Sequence, residues 1–234
     1  MAGPQSQIIA IGGGGFYRDG GNLKLEQYII DQSGAANPRV AFIPTASGEP
    51  DHYVASFYTA FLKLNCRPSV LSLFKRTTEI RSFLLNQDVI YVGGGNTKSM
   101  LVLWQDWGVA EALREAWQSG IVLAGVSAGA ICWYEQGVTD SFAAELQALS
   151  CLGFLPGSCC PHYDGEPDRR PSYHRLLGAD AIKPGVAIED WTAVHYLGSE
   201  IKRVVIAKDG ARAYKLRTVN GIVQEVPLPA DFLM

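Results

Sequence analysis

Ile121-Val122-Leu123-Ala124-Gly125-Val126-Ser127-Ala128-Gly129-Ala130-Ile131-Cys132-Trp133 is the stretch on which the fold turns. An apolar run of strand length ends at Gly125, and small residues open a helix after Ser127. The pattern is G-x-S-x-G in a strand–turn–helix setting. Two readings are open at this point. A serine nucleophile at the tip of a sharp, strained turn has this spelling, with tiny residues on either side where strand and helix nearly touch. The helix start then aims backbone N–H groups at an oxyanion beside the serine. A plain strand-to-helix turn with a serine N-cap has the same spelling.

Upstream of this stretch, short apolar runs alternate with helical patterns. Strands are expected at Ile8–Ile11, Arg39–Ile43, Ser69–Phe74 and Asp88–Val92. Helical spacing appears at Leu23–Ile30, Tyr53–Leu64, Thr78–Leu85, Met100–Trp104 and Val109–Trp117. Each crossover is long enough for a right-handed βαβ unit. Continuous apolar strands fit a sheet buried on both faces. The expectation is an α/β fold with a doubly wound, mostly parallel sheet and its site at the carboxyl ends of the strands. The glycine-rich turns Gly12–Gly15 and Gly93–Gly95 fall there with Ser127. The first of them is a poor dinucleotide fingerprint, because Tyr17 and Arg18 stand where the last glycine belongs.

Downstream the pattern changes. Residues 137–157 read as irregular with a short helical patch, and Cys159–Asp164 as a strand end. Arg169–Leu177 reads as a helix, and Gly185–Ile188 as a strand running into Glu189-Asp190-Trp191. Val204–Ala207, Ala213–Leu216 and Ile222–Val226, joined at Asp209-Gly210 and Asn220-Gly221, read as a small C-terminal antiparallel ribbon.

The chain has 234 residues, 47% hydrophobic and 18% charged, with a formal net charge of −3. That fits a single α/β domain over residues 1–234. The charge gives no footprint for nucleic acid. No basic-then-apolar leader opens the chain. No apolar run approaches the ~20 residues that span a bilayer. Cys66, Cys132, Cys151, Cys159 and Cys160 are odd in number and lack C-x-x-C spacing, so buried thiols in a reducing cytoplasm are expected. No metal or cofactor is implied, and the expected state is a monomer or homodimer.

A nucleophilic serine needs a base. His162, at an apparent strand end on the Ser127 side, leads His195. His174 on a helix and His52 at a helix start suit surface or packing roles. Asp140 and Glu135 both lie between Ser127 and His162 as candidates to orient the base. The amide of Ala128, with one from the turn at Gly95, suits an oxyanion hole.

Taken together, Gly-Gly-Gly-Asn-Thr at 93–97, Gly-Val-Ser-Ala-Gly-Ala at 125–130 and Pro-His-Tyr at 161–163 resemble the peptidase E family of serine peptidases, which includes aspartyl dipeptidases and, more distantly, cyanophycinase. The resemblance runs from Ile-Pro-Thr-Ala-Ser at 43–47 to the Glu189 region. It implies a flavodoxin-like fold akin to class I glutamine amidotransferases. By position it implies Ser127 as nucleophile, His162 as base, Asp140 as triad acid, and Gly95 and Ala128 as oxyanion donors. Some relatives use glutamate as the third member, which keeps Glu135 as an alternative. Arg169 best matches the arginine that binds the carboxylate of an N-terminal aspartate, although the loop before it is short, and Asn96 lies beside the substrate path. The implied activity is a cytoplasmic exopeptidase acting on short peptides such as Asp-X dipeptides. The rival readings are an α/β-hydrolase-type esterase, whose histidine normally lies much nearer the C-terminus, and a non-enzymatic flavodoxin-like protein that binds a small ligand.

Overall fold

The computed structural model describes residues 5–19, 21–142 and 145–234. The reading of a missing leader concerns Met1–Pro4 in part, and those lie outside the described residues. The first half runs β1 (Gln7–Ile11), α1 (Lys24–Asp31), β2 (Arg39–Ile43), a 3-10 turn (Thr45–Ser47), α2 (Asp51–Phe61), β3 (Arg67–Val70), α3 (Ile80–Leu85), β4 (Val89–Val92), α4 (Thr97–Asp106), α5 (Val109–Gln118), β5 (Val122–Val126) and α6 (Ala128–Ile131). Then follow β6 (Tyr134–Thr139), β7 (Gln147–Ser150), β8 (Leu155–Cys160), α7 (Arg169–Gly178), β9 (Gly185–Ile188), β10 (Thr192–Leu197), β11 (Glu200–Ile206), β12 (Ala213–Val219), β13 (Ile222–Pro227) and β14 (Ala230–Phe232).

Eight strands form one sheet in the order β14-β11-β10-β1-β5-β4-β2-β3. The five from β1 to β3 are parallel to their neighbours, and β10 lies antiparallel to β1. This is the doubly wound, mostly parallel sheet expected from the apolar runs, with the flavodoxin-like architecture that the family resemblance implies. Ile8, Ile9, Ala10 and Ile11 have no exposed surface, nor have Val89, Ile90, Tyr91 and Val92. Each such aliphatic side chain contributes roughly 1.5–3 kcal/mol on burial, and helices on both faces make that possible. Register places the ends of β1, β5 and β4 level, with Ile11 opposite Val126 and Val92 opposite Gly125. The turns that follow all three strands therefore open at one edge.

The second half differs from the expectation. The segment read as irregular holds the end of β6, all of β7 and the start of β8. They belong to a second sheet of six strands, ordered β13-β12-β9-β8-β6-β7. Nor do the last strands form one ribbon. β11 joins the first sheet beside β10, whereas β12 and β13 edge the second. Asn220-Gly221 closes the β12–β13 hairpin with both residues at positive φ, as a tight hairpin turn requires. Asp209-Gly210 instead carries the chain from one sheet to the other. Ser69–Phe74 also fell short, since β3 ends at Val70.

The two sheets share a buried cluster that includes Ile8 and Ile90 from the first, and Leu155, Cys159, Val186 and Ala213 from the second. The short helix α6 sits between them, with Ile131 and Trp133 in the same cluster. The chain passes from β9 in the second sheet to β10 in the first across Glu189–Trp191, where Asp190 bridges to Gly13. His162 leaves the end of β8 near the same crossing, its amide donating to the Gly12 carbonyl at 3.2 Å. The site thus lies on the seam between two sheets, which the one-sheet expectation did not contain. Cys132, Cys159 and Cys160 are buried, Cys66 and Cys151 are half-buried, and all five are free thiols.

Candidate active site

Ser127 stands at the end of β5 with φ 57° and ψ −111°. A residue with a side chain holds that conformation only where its surroundings impose it. The Ser127 amide donates to the Ile11 carbonyl at 3.1 Å, and its carbonyl accepts from the amides of Ala130 and Ile131. The side chain makes no capping hydrogen bond to α6, so the N-cap reading of the serine fails. The flanking glycines are fixed by packing. A Cβ on Gly125 would lie 2.3 Å from the Gly129 carbonyl oxygen, and one on Gly129 would lie 2.2 Å from that of Val92.

His162 also has positive φ, 51°. Its Nδ1 is 2.7 Å from Oδ1 of Asp190. An ionised carboxylate only accepts, so Nδ1 carries the proton and Nε2 is left as the acceptor. Burial works to raise the Asp190 pKa. The hydrogen bond from His162, with the positive charges of Arg18 and Lys208, outweighs it and holds the carboxyl below its usual range. The Asp190 amide donates to Oδ1 of Asp164 at 2.8 Å, and the Trp191 amide to the Gly13 carbonyl. A Cβ on Gly13 would come within 1.9 Å of Oδ1 of Asp190 and 2.4 Å of Nδ1 of His162. The glycine-rich turn after β1 is therefore a seat for this histidine–carboxylate pair, not a phosphate cradle.

The acid expected at Asp140, or at Glu135, is elsewhere. Asp140 lies beside Arg169, Oδ2 to Nη2 at 3.6 Å, with its side chain two-thirds exposed. Glu135 accepts from the Gly157 amide and pairs with Lys183. The carboxylate on His162 is Asp190, which the sequence reading passed over. Its signal was an acidic residue just beyond a short strand, at the edge where ligands come close.

Ser127 lies between two cavities. The larger, about 280 Å³, is lined by Tyr17, Arg18, His52, Tyr53, Gly95 and His162 among others. The smaller, about 230 Å³, is lined by Asn96, Asp140, Ser141, Glu166 and Arg169. Gly95 and Ser127 line both. Gly95 adopts φ 135°, and a Cβ there would meet the Ala46 carbonyl oxygen at 2.2 Å. Only glycine brings the 93–95 turn this close to the Thr45–Ser47 turn. The Gly94 amide donates to the Tyr53 hydroxyl at 3.3 Å, and the Asn96 amide to the Ala46 carbonyl at 2.7 Å. Ala128 offers the first amide of α6, which has no acceptor within that helix.

Arg169 is buried, and much of its guanidinium is already engaged. Nε donates to Glu166 at 2.6 Å and Nη1 to the Val138 carbonyl at 3.0 Å, which leaves Nη2 facing Asp140. Asn96 caps α4, accepting from the Ser99 amide, and donates to the Ser141 carbonyl. His52, read as a surface residue, lines the larger cavity and bonds the Tyr17 hydroxyl at 3.2 Å. His195 is a core residue between the Tyr28 hydroxyl and the Gln7 side chain; burial pushes its pKa down to about 4. His174 packs against Tyr163 and Glu225.

Glu26 lies under the first glycine turn, fully buried, accepting from the Phe16 amide at 2.8 Å. Its Oε2 has no hydrogen-bond partner among the described residues. Burial pushes its pKa up to about 7, against a usual 4.5. Between those values the folded chain holds a proton that the unfolded chain has lost, so stability falls as pH rises through that window. Glu26→Gln keeps an acceptor for Phe16 without the charge. It is expected to match the parent near pH 4 and to exceed it at pH 8 by on the order of 3 kcal/mol. Denaturant unfolding at both pH values checks this, and a difference independent of pH would contradict it.

Among the described residues, no three histidine, cysteine or carboxylate side chains are grouped as a metal would need. No helix there is long and apolar enough to cross a membrane.

Residues 8–204 match the model of peptidase family S51. A Bacillus subtilis protein described as the uncharacterized peptidase YgaJ is 51% identical over 228 residues, 97% of this chain and 99% of that one. Peptidase E of Shewanella denitrificans is 28% identical over 202 residues, 81% of each chain. Among solved structures, a peptidase from an acI-B1 Actinobacterium aligns with a TM-score of 0.72 at 22% identity, covering 97% of this chain and 96% of that one; it supports the fold.

Proposed function

We propose that this chain, which belongs to peptidase family S51 and is a serine-type peptidase, works as an exopeptidase on short peptides through Ser127, His162 and Asp190. The observation that carries the reading is the 2.7 Å bond from His162 Nδ1 to Asp190 in a histidine sharing a cavity with a strained serine. Ser127 Oγ attacks the scissile carbonyl while Nε2 of His162 takes its proton. Asp190 holds the imidazole in the required tautomer and stabilises its cation. The amides of Gly95 and Ala128 receive the developing oxyanion. His162 then protonates the leaving amine, and water hydrolyses the acyl-enzyme by the same route.

The smaller cavity favours an exopeptidase. Asp140 and Glu166, both on its wall, suit the ammonium of a free N-terminus. A narrower reading is Asp-X specificity. It is favoured by Nη2 of Arg169, held only loosely by Asp140 at 3.6 Å on that cavity's wall. A substrate carboxylate can displace Asp140 there and form a charge-assisted bond.

A panel of X-Leu dipeptides, free and N-acetylated, tests both readings. Free dipeptides are expected to be hydrolysed at least about tenfold faster than their acetylated forms, the size of one lost charged hydrogen bond. Equal rates would end the exopeptidase reading. Asp-Leu no faster than Ala-Leu would end the Asp-X reading alone.

A further inference from the structure

The two cavities meet at Ser127, so a bound substrate spans them across its scissile bond. His162 lines only the larger one. The group that delivers a proton to the leaving amine must face that amine. The leaving residue therefore occupies the larger cavity and the acyl residue the smaller. In a dipeptide the α-carboxylate of the leaving residue lies two bonds from the scissile nitrogen, so it must fall within the same cavity.

One wall of that cavity is aromatic. Tyr17 and Tyr53 meet edge to face at 4.5 Å, and His52 bonds the Tyr17 hydroxyl. Its cation is Arg18. Other arginines near the site, Arg169, Arg170 and Arg175, are each paired with a carboxylate. Arg18 is exposed and has no ion pair among the described residues. Its charge is nevertheless felt at Asp190. Its backbone is fixed. The Arg18 and Asp19 amides both donate to the Gly15 carbonyl, and buried Phe16 anchors the turn through Glu26.

We propose that Arg18 binds the free α-carboxylate of the leaving residue, making this site selective for dipeptides over peptides blocked or extended at the C-terminus. The aromatic wall takes the leaving side chain. This rests on the serine-peptidase reading above. Arg18 acts in binding and positioning, and the chemistry stays with Ser127 and His162.

The test measures kcat/KM for the X-Leu dipeptide cleaved fastest in the panel and for its C-terminal amide. The enzymes compared are the full chain, Arg18→Gln and Arg18→Lys. Fluorophosphonate labelling of the parent is measured alongside. The parent is expected to prefer the acid over the amide by about 10- to 100-fold, as a charge-assisted hydrogen bond supplies. Arg18→Gln should bring that ratio close to one, mainly through KM for the acid. Arg18→Lys should restore part of it, as a point charge without the guanidinium fork. A parent that cleaves amide and acid alike overturns the proposal. So does an Arg18→Gln enzyme that keeps the parent's ratio, since that assigns any loss to a structural role. A parent that labels but cleaves no dipeptide overturns the proposal and spares the nucleophile. A parent that neither labels nor cleaves overturns the underlying reading with it.

Discussion

Ser127→Ala is expected to lower kcat on the best dipeptide by at least about 10⁴-fold, as loss of a nucleophile does in a serine peptidase. The fold should survive. Alanine keeps the Cβ that the turn already accommodates at φ 57°, and the hydroxyl makes no capping bond whose loss would loosen α6. The bonds that hold the turn run through the Ser127 backbone to Ile11, Ala130 and Ile131 and are untouched. The thermal midpoint should therefore stay within about 2 °C, no more than a change of about 1 kcal/mol gives in a chain of this size. Activity within tenfold of the parent would remove Ser127 from the mechanism. Loss of activity together with a collapsed midpoint would mean the turn had been misjudged.

Asp190→Asn is the second large effect. Asparagine has the same shape, so it fits against Gly13 and Gly165, where a Cβ on either glycine would crowd the carboxylate. Its amide can donate to Nδ1 of His162. The imidazole then carries its proton on Nε2 and can no longer accept one from Ser127. In the chymotrypsin-type triad this exchange costs about 10⁴ in kcat, and a loss of similar size is expected here. The effect should fall on kcat with KM little changed, because Asp190 lies behind His162 and does not itself line either cavity. A loss confined to KM would contradict the assigned role.

Much of this was legible in the sequence, for a physical reason. Strands buried on both faces are written as uninterrupted apolar runs, so β1, β2, β4 and β5 stood out. Glycines at 125 and 129 are demanded by backbone contacts that no other residue permits, so the serine turn stood out as well. The second sheet did not. Its strands β6 and β8 carry Gln136, Gly137, Gly157 and Ser158, which break the apolar pattern, while partners distant in sequence supply their pairing. Asp190 was missed for the same cause. Its place beside His162 follows from the crossing between two sheets, a contact spanning 28 residues with no local periodicity to announce it. Asp140 was misleading because it lies on a strand end near the site, yet its side chain turns to Arg169. Arg169 itself matched a pattern, but burial and the carboxylate of Glu166 tie down a guanidinium that the pattern assumed was available.

Asp190, and not Asp140, is proposed to orient the histidine that serves Ser127. The most direct test of this assignment is the rate at which a small fluorophosphonate labels Ser127, which reads the nucleophile without requiring peptide binding. Asp190→Asn and Asp140→Asn are measured side by side with the parent. Labelling is expected to be at least about 10²-fold slower in Asp190→Asn, from the lost general base, and close to the parent's rate in Asp140→Asn. The reverse order, with Asp140→Asn slow and Asp190→Asn intact, would contradict it.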